Sequence, residues 1–154
     1  HVVSMPDCTP IGDVAVDIWH ADALGLYSGY PGQGHQGNVD TTGETFLRGT
    51  QISDADGRVE FTTIYPGWYP GRAVHIHFKV RLPGNLEVTS QMYFDDAFSD
   101  DVHGEGPYTT NGGADTATTQ DGIYANTANA DHLLVALEPG DPVVARLVIG
   151  IAPG

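Results

Sequence analysis

The sequence predicts an all-β fold, an antiparallel β-sandwich of about seven strands with long loops and little helix. Three observations predict it. Short alternating segments recur between clusters of Gly, Pro, Asn and Asp. No stretch of 10–15 residues carries a helical period. The 20 glycines and 10 prolines are scattered without repeat, which excludes collagen and leaves a folded, loop-rich globule.

The first predicted strand, Asp13–His20, ends where a glycine-rich loop begins. Phe46–Ser53 and Arg58–Ile64 flank Asp56-Gly57, whose capacity for positive φ predicts a tight antiparallel hairpin. Ala73–Leu82 carries the alternating run Val74-His75-Ile76-His77-Phe78, and Glu87–Phe94 follows it. His132–Glu138 and Val143–Ile151 complete the set. Between strands lie two long excursions: Gly25–Thr45, with six glycines, and Asp95–Asp131, rich in Asp, Gly, Thr and Asn. Loops of that length in a compact domain are functional or mobile. Within the second, Asp95–Asp101 is compatible with a short helical turn.

At 154 residues the chain is one domain in length, enough to bury about 70% of its unfolded surface. Six Lys and Arg stand against 20 Asp and Glu, a net charge of −14. That balance argues against nucleic acid and anionic membrane as partners. Cys8 is the only cysteine, which excludes an internal disulfide, a multi-cysteine zinc site and a thiolate-held iron–sulfur cluster. No apolar run approaches the ~20 residues of a spanning helix. The chain opens at His1 without a Met or a leader pattern, as a processed or trimmed form does.

In the fourth strand His75 and His77 point the same way, roughly 7 Å apart, while Val74, Ile76, Phe78, Val80 and Leu82 point into a core. Two imidazoles so placed can converge on a metal. A half-exposed strand gives the same alternation without one, and Lys79 and Arg81 continue the polar side. Upstream, Tyr65-Pro66-Gly67-Trp68-Tyr69-Pro70-Gly71-Arg72 is a rigid turn presenting aromatics and a cation. Trp19-His20-Ala21-Asp22-Ala23-Leu24-Gly25-Leu26-Tyr27 sets another tyrosine at a strand end.

Together these segments, with Phe46–Phe61 and Thr89-Ser-Gln-Met-Tyr-Phe94, resemble the intradiol ring-cleavage dioxygenases in order over residues 14–94. These are non-haem ferric enzymes that open catechols. The resemblance implies that Fe(III) is held by Tyr27, Tyr69, His75 and His77, with Tyr69 and His77 axial and Tyr27, His75 and a hydroxide equatorial. Hard ferric iron favours phenolate oxygen, and a trivalent cation deprotonates a tyrosine whose free pKa is ~10. The resemblance further implies that a small aromatic diol binds through both oxygens, displacing hydroxide and Tyr69. Those departing groups take its protons, and dioxygen opens the ring to a muconate. Arg72 matches the family's arginine that stabilises charge on the ring carbons, and Gln91 its glutamine beside the reacting ring.

The same likeness implies one catalytic domain over residues 1–154 that lacks an N-terminal segment, with a monomer favoured. The short Tyr69–His75 connection resembles the compact secreted-type members, which predicts an extracellular oxidoreductase acting on plant-derived aromatics, with the cytoplasm as the alternative. The other readings are a non-catalytic β-sandwich binding module, or zinc or copper in the same pocket. Arg72 also reads as a surface ion-pair residue, Asp54-Ala55-Asp56-Gly57 as a plain hairpin, and His20, His35, His103 and His132 as ordinary packed or surface histidines.

Overall fold

A computed structural model describes residues 1–152. Its centre is a four-stranded antiparallel sheet in the order β3 (Arg48–Ile52), β2 (Ala15–Trp19), β4 (His75–Leu82), β5 (Leu86–Tyr93). Two smaller pairs accompany it. β1 (Val2–Ser4) runs parallel to β8 (Ile149–Ile151), and β6 (Ala136–Glu138) is antiparallel to β7 (Val144–Arg146). The fold is mainly β, as the alternating pattern predicts, and helix is confined to α1 (Asp96–His103) and short 3-10 turns among the described residues.

Period-two alternation divides the central sheet into an apolar and a polar face. Val16 and Ile18 of β2 and Ile76 and Val80 of β4 turn to the apolar side. At one end Val16 and Val80 pack with Val2, Val14, Ile149 and Ile151; at the other Ile76 packs with Trp68, Val74, Phe94 and Val135. The register aligns Trp19 with His77 and His77 with Gln91, and sets His75 opposite Tyr93. One row across four strands therefore reads Arg48, Trp19, His77, Gln91 on the polar side.

The seven predicted strands do not form one for one among the described residues, which hold eight strands in three sheets. Arg58–Ile64 makes no ladder: the turn at Asp54–Arg58 closes with Gly57 at φ +74°, but Val59 and Phe61 then pack on the Val2–Val80 cluster. Apolar burial pulls this segment over the sheet instead of along the edge of β3. His132–Glu138 shrinks to β6 behind a 3-10 turn over Ala130–Leu133, and Val143–Ile151 splits into β7 and β8. β1, with only three residues, is too short for alternation to reveal, and its pairing with β8 departs from the all-antiparallel expectation.

In the second excursion, α1 starts at Asp95, whose carboxylate caps it by accepting from the Phe98 N–H at 3.0 Å. Neither excursion is a bare loop. Residues 99–121 run alongside the turn at 65–73 and bond it step by step. Ser99 Oγ meets the Tyr65 hydroxyl at 2.8 Å, His103 Nε2 donates to Pro66 O at 3.2 Å, and Trp68 Nε1 donates to Gly112 O at 2.8 Å. The Gly71 N–H then donates to Asp115 at 3.1 Å, and that of Ala73 to Asp121 at 3.0 Å.

Candidate functional site

His75 and His77 project from the start of β4, on the polar side, because the intervening Ile76 is drawn into the core. The His77 ring stacks on Trp19, with centroids 4.8 Å apart and planes 2° from parallel. That contact fixes the tilt of His77. His75 is buried, and its Nδ1 lies 2.7 Å from Ala73 O. A carbonyl only accepts, so Nδ1 carries the proton and Nε2 presents its lone pair inward.

Tyr27 and Tyr69 come from different turns that interlock. Gly67 N–H donates to Asp22 O at 2.9 Å, and Asp22 Oδ1 accepts the N–H groups of Leu24 and Leu26. The fit is close enough to require glycine. A Cβ on Gly67 would stand 2.5 Å from both Ala23 O and Asp22 O, and one on Gly25, at φ +78°, would overlap Trp68 O. Tyr27 is steadied by the first excursion: its N–H donates to Gln33 Oε1 at 3.1 Å, and its carbonyl accepts from Thr41 Oγ1 at 2.6 Å. Arg48 ties the same loop to β3 through Ser28, at 2.9 and 2.8 Å.

These elements bring four polar tips to one point. The hydroxyls of Tyr27 and Tyr69 lie 3.1 and 3.3 Å from His75 Nε2, and His77 Nε2 lies 3.2 Å from it. Burial keeps both imidazoles neutral, with pKa values lowered to about 4 for His75 and about 3 for His77, where the neighbouring His75 adds to the effect. Burial also raises both phenols above the ordinary tyrosine range, with the Tyr69 hydroxyl contributing for Tyr27. Three polar tips thus gather within 3.3 Å of the lone pair of His75 Nε2. Two neutral imidazoles and two phenols that ionise only beside a strong positive charge form a donor set that fits a hard trivalent cation.

Arg72 and Gln91 join the same cluster. Arg72 Nη1 donates to Tyr69 Oη at 3.1 Å and Nη2 to Gln91 Oε1 at 2.6 Å. Arg72 also forms an ion pair, but its partner Asp121 is fully buried, so this is not a surface pair. Sequence reasoning misses Asp121, which lies 49 positions from Arg72 in a stretch without strand pattern. It also assigns no role to Trp19, although a strand partner facing His77 is the signal that points to it. The other histidines sit outside the cluster: buried His20 bonds Ala21 O and Thr63 Oγ1 through its two nitrogens, and His132 is exposed. Asp54 Oδ1 caps the N–H groups of Asp56 and Arg58, as a plain turn does.

A family model described as Dioxygenase matches residues 2–105. Among curated proteins, chlorocatechol 1,2-dioxygenase of Cupriavidus pinatubonensis is 34% identical over 111 residues, 60% of this chain and 40% of its own. Catechol 1,2-dioxygenase of Candida albicans is 30% identical over 151 residues, 86% of this chain and again 40% of its own. The chain thus spans about two fifths of the length of these curated relatives. Among solved structures, an intradiol ring-cleavage dioxygenase from Tetranychus urticae superposes with a TM-score of 0.86 at 30% identity, covering 99% of this chain and 77% of that one.

Proposed function

The chain belongs to the intradiol ring-cleavage dioxygenase family, and on that premise we propose that it binds ferric iron and opens catechol-type diols between their two hydroxyl-bearing carbons. The observation that carries the proposal is the convergence of Tyr27, Tyr69 and His77 on His75 Nε2, all within 3.3 Å. Tyr27, Tyr69, His75 and His77 would hold the ion, the tyrosines as phenolates and the histidines as neutral donors. When bound, ferric iron supplies the Lewis acidity that draws in a catecholate and activates it toward dioxygen.

The chain's own groups do the rest. Tyr69 Oη is the basic oxygen of the chain at hand for a proton that a catechol releases on binding, while Tyr27 stays a ligand. Arg72 Nη1, donating to Tyr69 Oη, favours the anionic form of that phenol and so tunes it as an acceptor. The same guanidinium is a permanent cation beside the ring, where it stabilises negative charge developing on carbon. Gln91 Oε1 accepts from Arg72 Nη2 at 2.6 Å and lies 2.9 Å from the Tyr93 hydroxyl, which fixes the amide within the pocket wall. The relatives' names, catechol and chlorocatechol 1,2-dioxygenase, support small aromatic diols as the substrate class.

The test is a visible spectrum with metal analysis on iron-loaded protein, followed by oxygen uptake with catechol. One iron per chain, a red-brown phenolate-to-iron band and a muconate product are expected. A protein that holds zinc or copper in the site in place of iron, or that takes up iron without consuming oxygen in the presence of catechol, overturns the proposal.

A further inference from the structure

Resting on the iron-dependent reading above, we infer that Asp121 is a positioning residue that fixes the plane of the Arg72 guanidinium, turning one amino group to Tyr69 and the other to Gln91.

The Asp121 carboxylate is 0% exposed, and every group bonded to it is a donor. Oδ2 accepts from Arg72 Nε at 2.7 Å and from the Ala73 N–H at 3.0 Å. Oδ1 accepts from the N–H groups of Ile123 at 2.9 Å and Tyr124 at 3.1 Å, from the Tyr93 hydroxyl at 3.1 Å and from Arg72 Nη2 at 3.4 Å. An acceptor surrounded only by donors is what a carboxylate satisfies and a neutral amide does not. Burial opposes its charge, yet the bonds from Arg72 and from the backbone of Tyr124, Ala73 and Ile123 hold its pKa below the usual carboxylate range.

The geometry of arginine supplies the next step. Its five N–H groups lie in one rigid plane, so gripping Nε and Nη2 from one side leaves no rotation for Nη1. Nη1 then reaches Tyr69 Oη at 3.1 Å, while Nη2 also reaches Gln91 Oε1 at 2.6 Å. Without that grip the long Arg72 side chain, rising from an exposed Pro70-Gly71 turn, would be held only through its terminal amino groups by the very residues it serves. Asp121 is itself anchored, because Tyr124 beside it packs edge-on against Tyr93 at 5.1 Å. The family match ends at residue 105, so this anchor comes from chain beyond the matched segment.

Asp121 also holds the Ala73 N–H two residues before His75, and a purely structural role would act through that bond. The experiment separates the two. In metal-free protein, the Arg72 Nε–H is assigned in a nitrogen-15 NMR spectrum by its loss in Arg72→Leu. It should exchange with water more slowly than that of exposed Arg58, and Asp121→Asn should remove the protection. In iron-loaded protein, Asp121→Asn should lower kcat per bound iron about tenfold with KM held within about twofold, against a fall on the order of 10²–10³ for Arg72→Leu. Adding Asp121→Asn to Arg72→Leu should change kcat per iron less than about twofold, since a residue acting through Arg72 has nothing left to position.

Unchanged kcat per iron in Asp121→Asn, or losses that multiply in the double variant, would overturn the inference. Should Asp121→Asn not fold, the wild-type exchange rate decides alone: an Arg72 Nε–H exchanging as fast as that of Arg58 rejects the positioning role. If loaded wild-type protein leaves catechol intact, the proposed function falls while the metal-free measurement still judges the inference.

Discussion

Along the polar side of β4, residues 75, 77, 79 and 81 alternate with core residues in one uninterrupted pattern, yet the two halves of that row end in opposite environments. His75 is 3% exposed, with three polar tips gathered on one of its nitrogens. Arg81, six residues on, has 55% of its side chain exposed and pairs with Asp17 at 2.7 Å, while Lys79 pairs with Glu87 at 2.8 Å. The strand contributes the same thing to both halves, a side-chain direction. What differs is the covering: the turns of Tyr27 and Tyr69, backed by the two excursions, close over the first half and leave the second open to water. A polar row on a strand becomes a site where distant chain is brought to bury it.

The largest expected effect comes from breaking the covered half at its centre. His75→Ala removes the nitrogen on which the other three side chains converge, so bound iron should fall below about one tenth of an equivalent per chain under conditions that saturate the wild type, with oxygen uptake on catechol lost. Metal analysis and an oxygen electrode read both quantities. Iron retained near one equivalent would show that the convergence is not the binding site.

A second change attacks the covering and leaves every polar side chain of the site in place. Gly25→Val sets a branched side chain at φ +78° where even a Cβ overlaps Trp68 O, so the turns carrying Tyr27 and Tyr69 must separate. Unfolding free energy should drop by at least about 2 kcal/mol, and iron affinity should fall with it. Denaturant unfolding of the metal-free protein measures the first, and a competition titration with a chelator the second. Wild-type stability in this variant would mean that the interlock does not build the site.

How much of this was legible in the sequence follows from the same contrast. Alternation in Val74–Leu82 is a local property, and it identifies the faces of β4 without knowledge of any neighbour. It does not separate His75 from Lys79, because burial arrives from residues 19–48 and 65–121. The motif likeness over residues 14–94 was needed to single out Tyr27 and Tyr69, since nothing local marks either tyrosine. Asp121 stayed hidden for a related reason: its meaning lies in a contact across 49 residues, in a stretch of Asp, Gly and Thr where any carboxylate reads as solvated. Arg58–Ile64 misled in the opposite direction, because alternation reports which side chains are buried and not whether the backbone finds a ladder partner.

The smallest effect is expected on the open half. Arg81 holds Asp17 at 2.7 Å and Glu87 at 3.6 Å, and Asp17 also accepts from Thr50 Oγ1 at 2.6 Å, so the ladder appears dense with contacts. Solvent decides its worth. Water at the surface screens each charge, both long side chains lose rotamer freedom to meet, and salt weakens what remains. Asp17 keeps Thr50 and the nearby Lys79 when Arg81 is replaced, so its carboxylate is not left buried and alone. Arg81→Leu should therefore leave iron content and kcat within about twofold of wild type and barely move the melting temperature, with any difference vanishing at high salt. A loss of iron in this variant, read by the same metal analysis that condemns His75→Ala, would join the two halves into one electrostatic unit and dissolve the comparison.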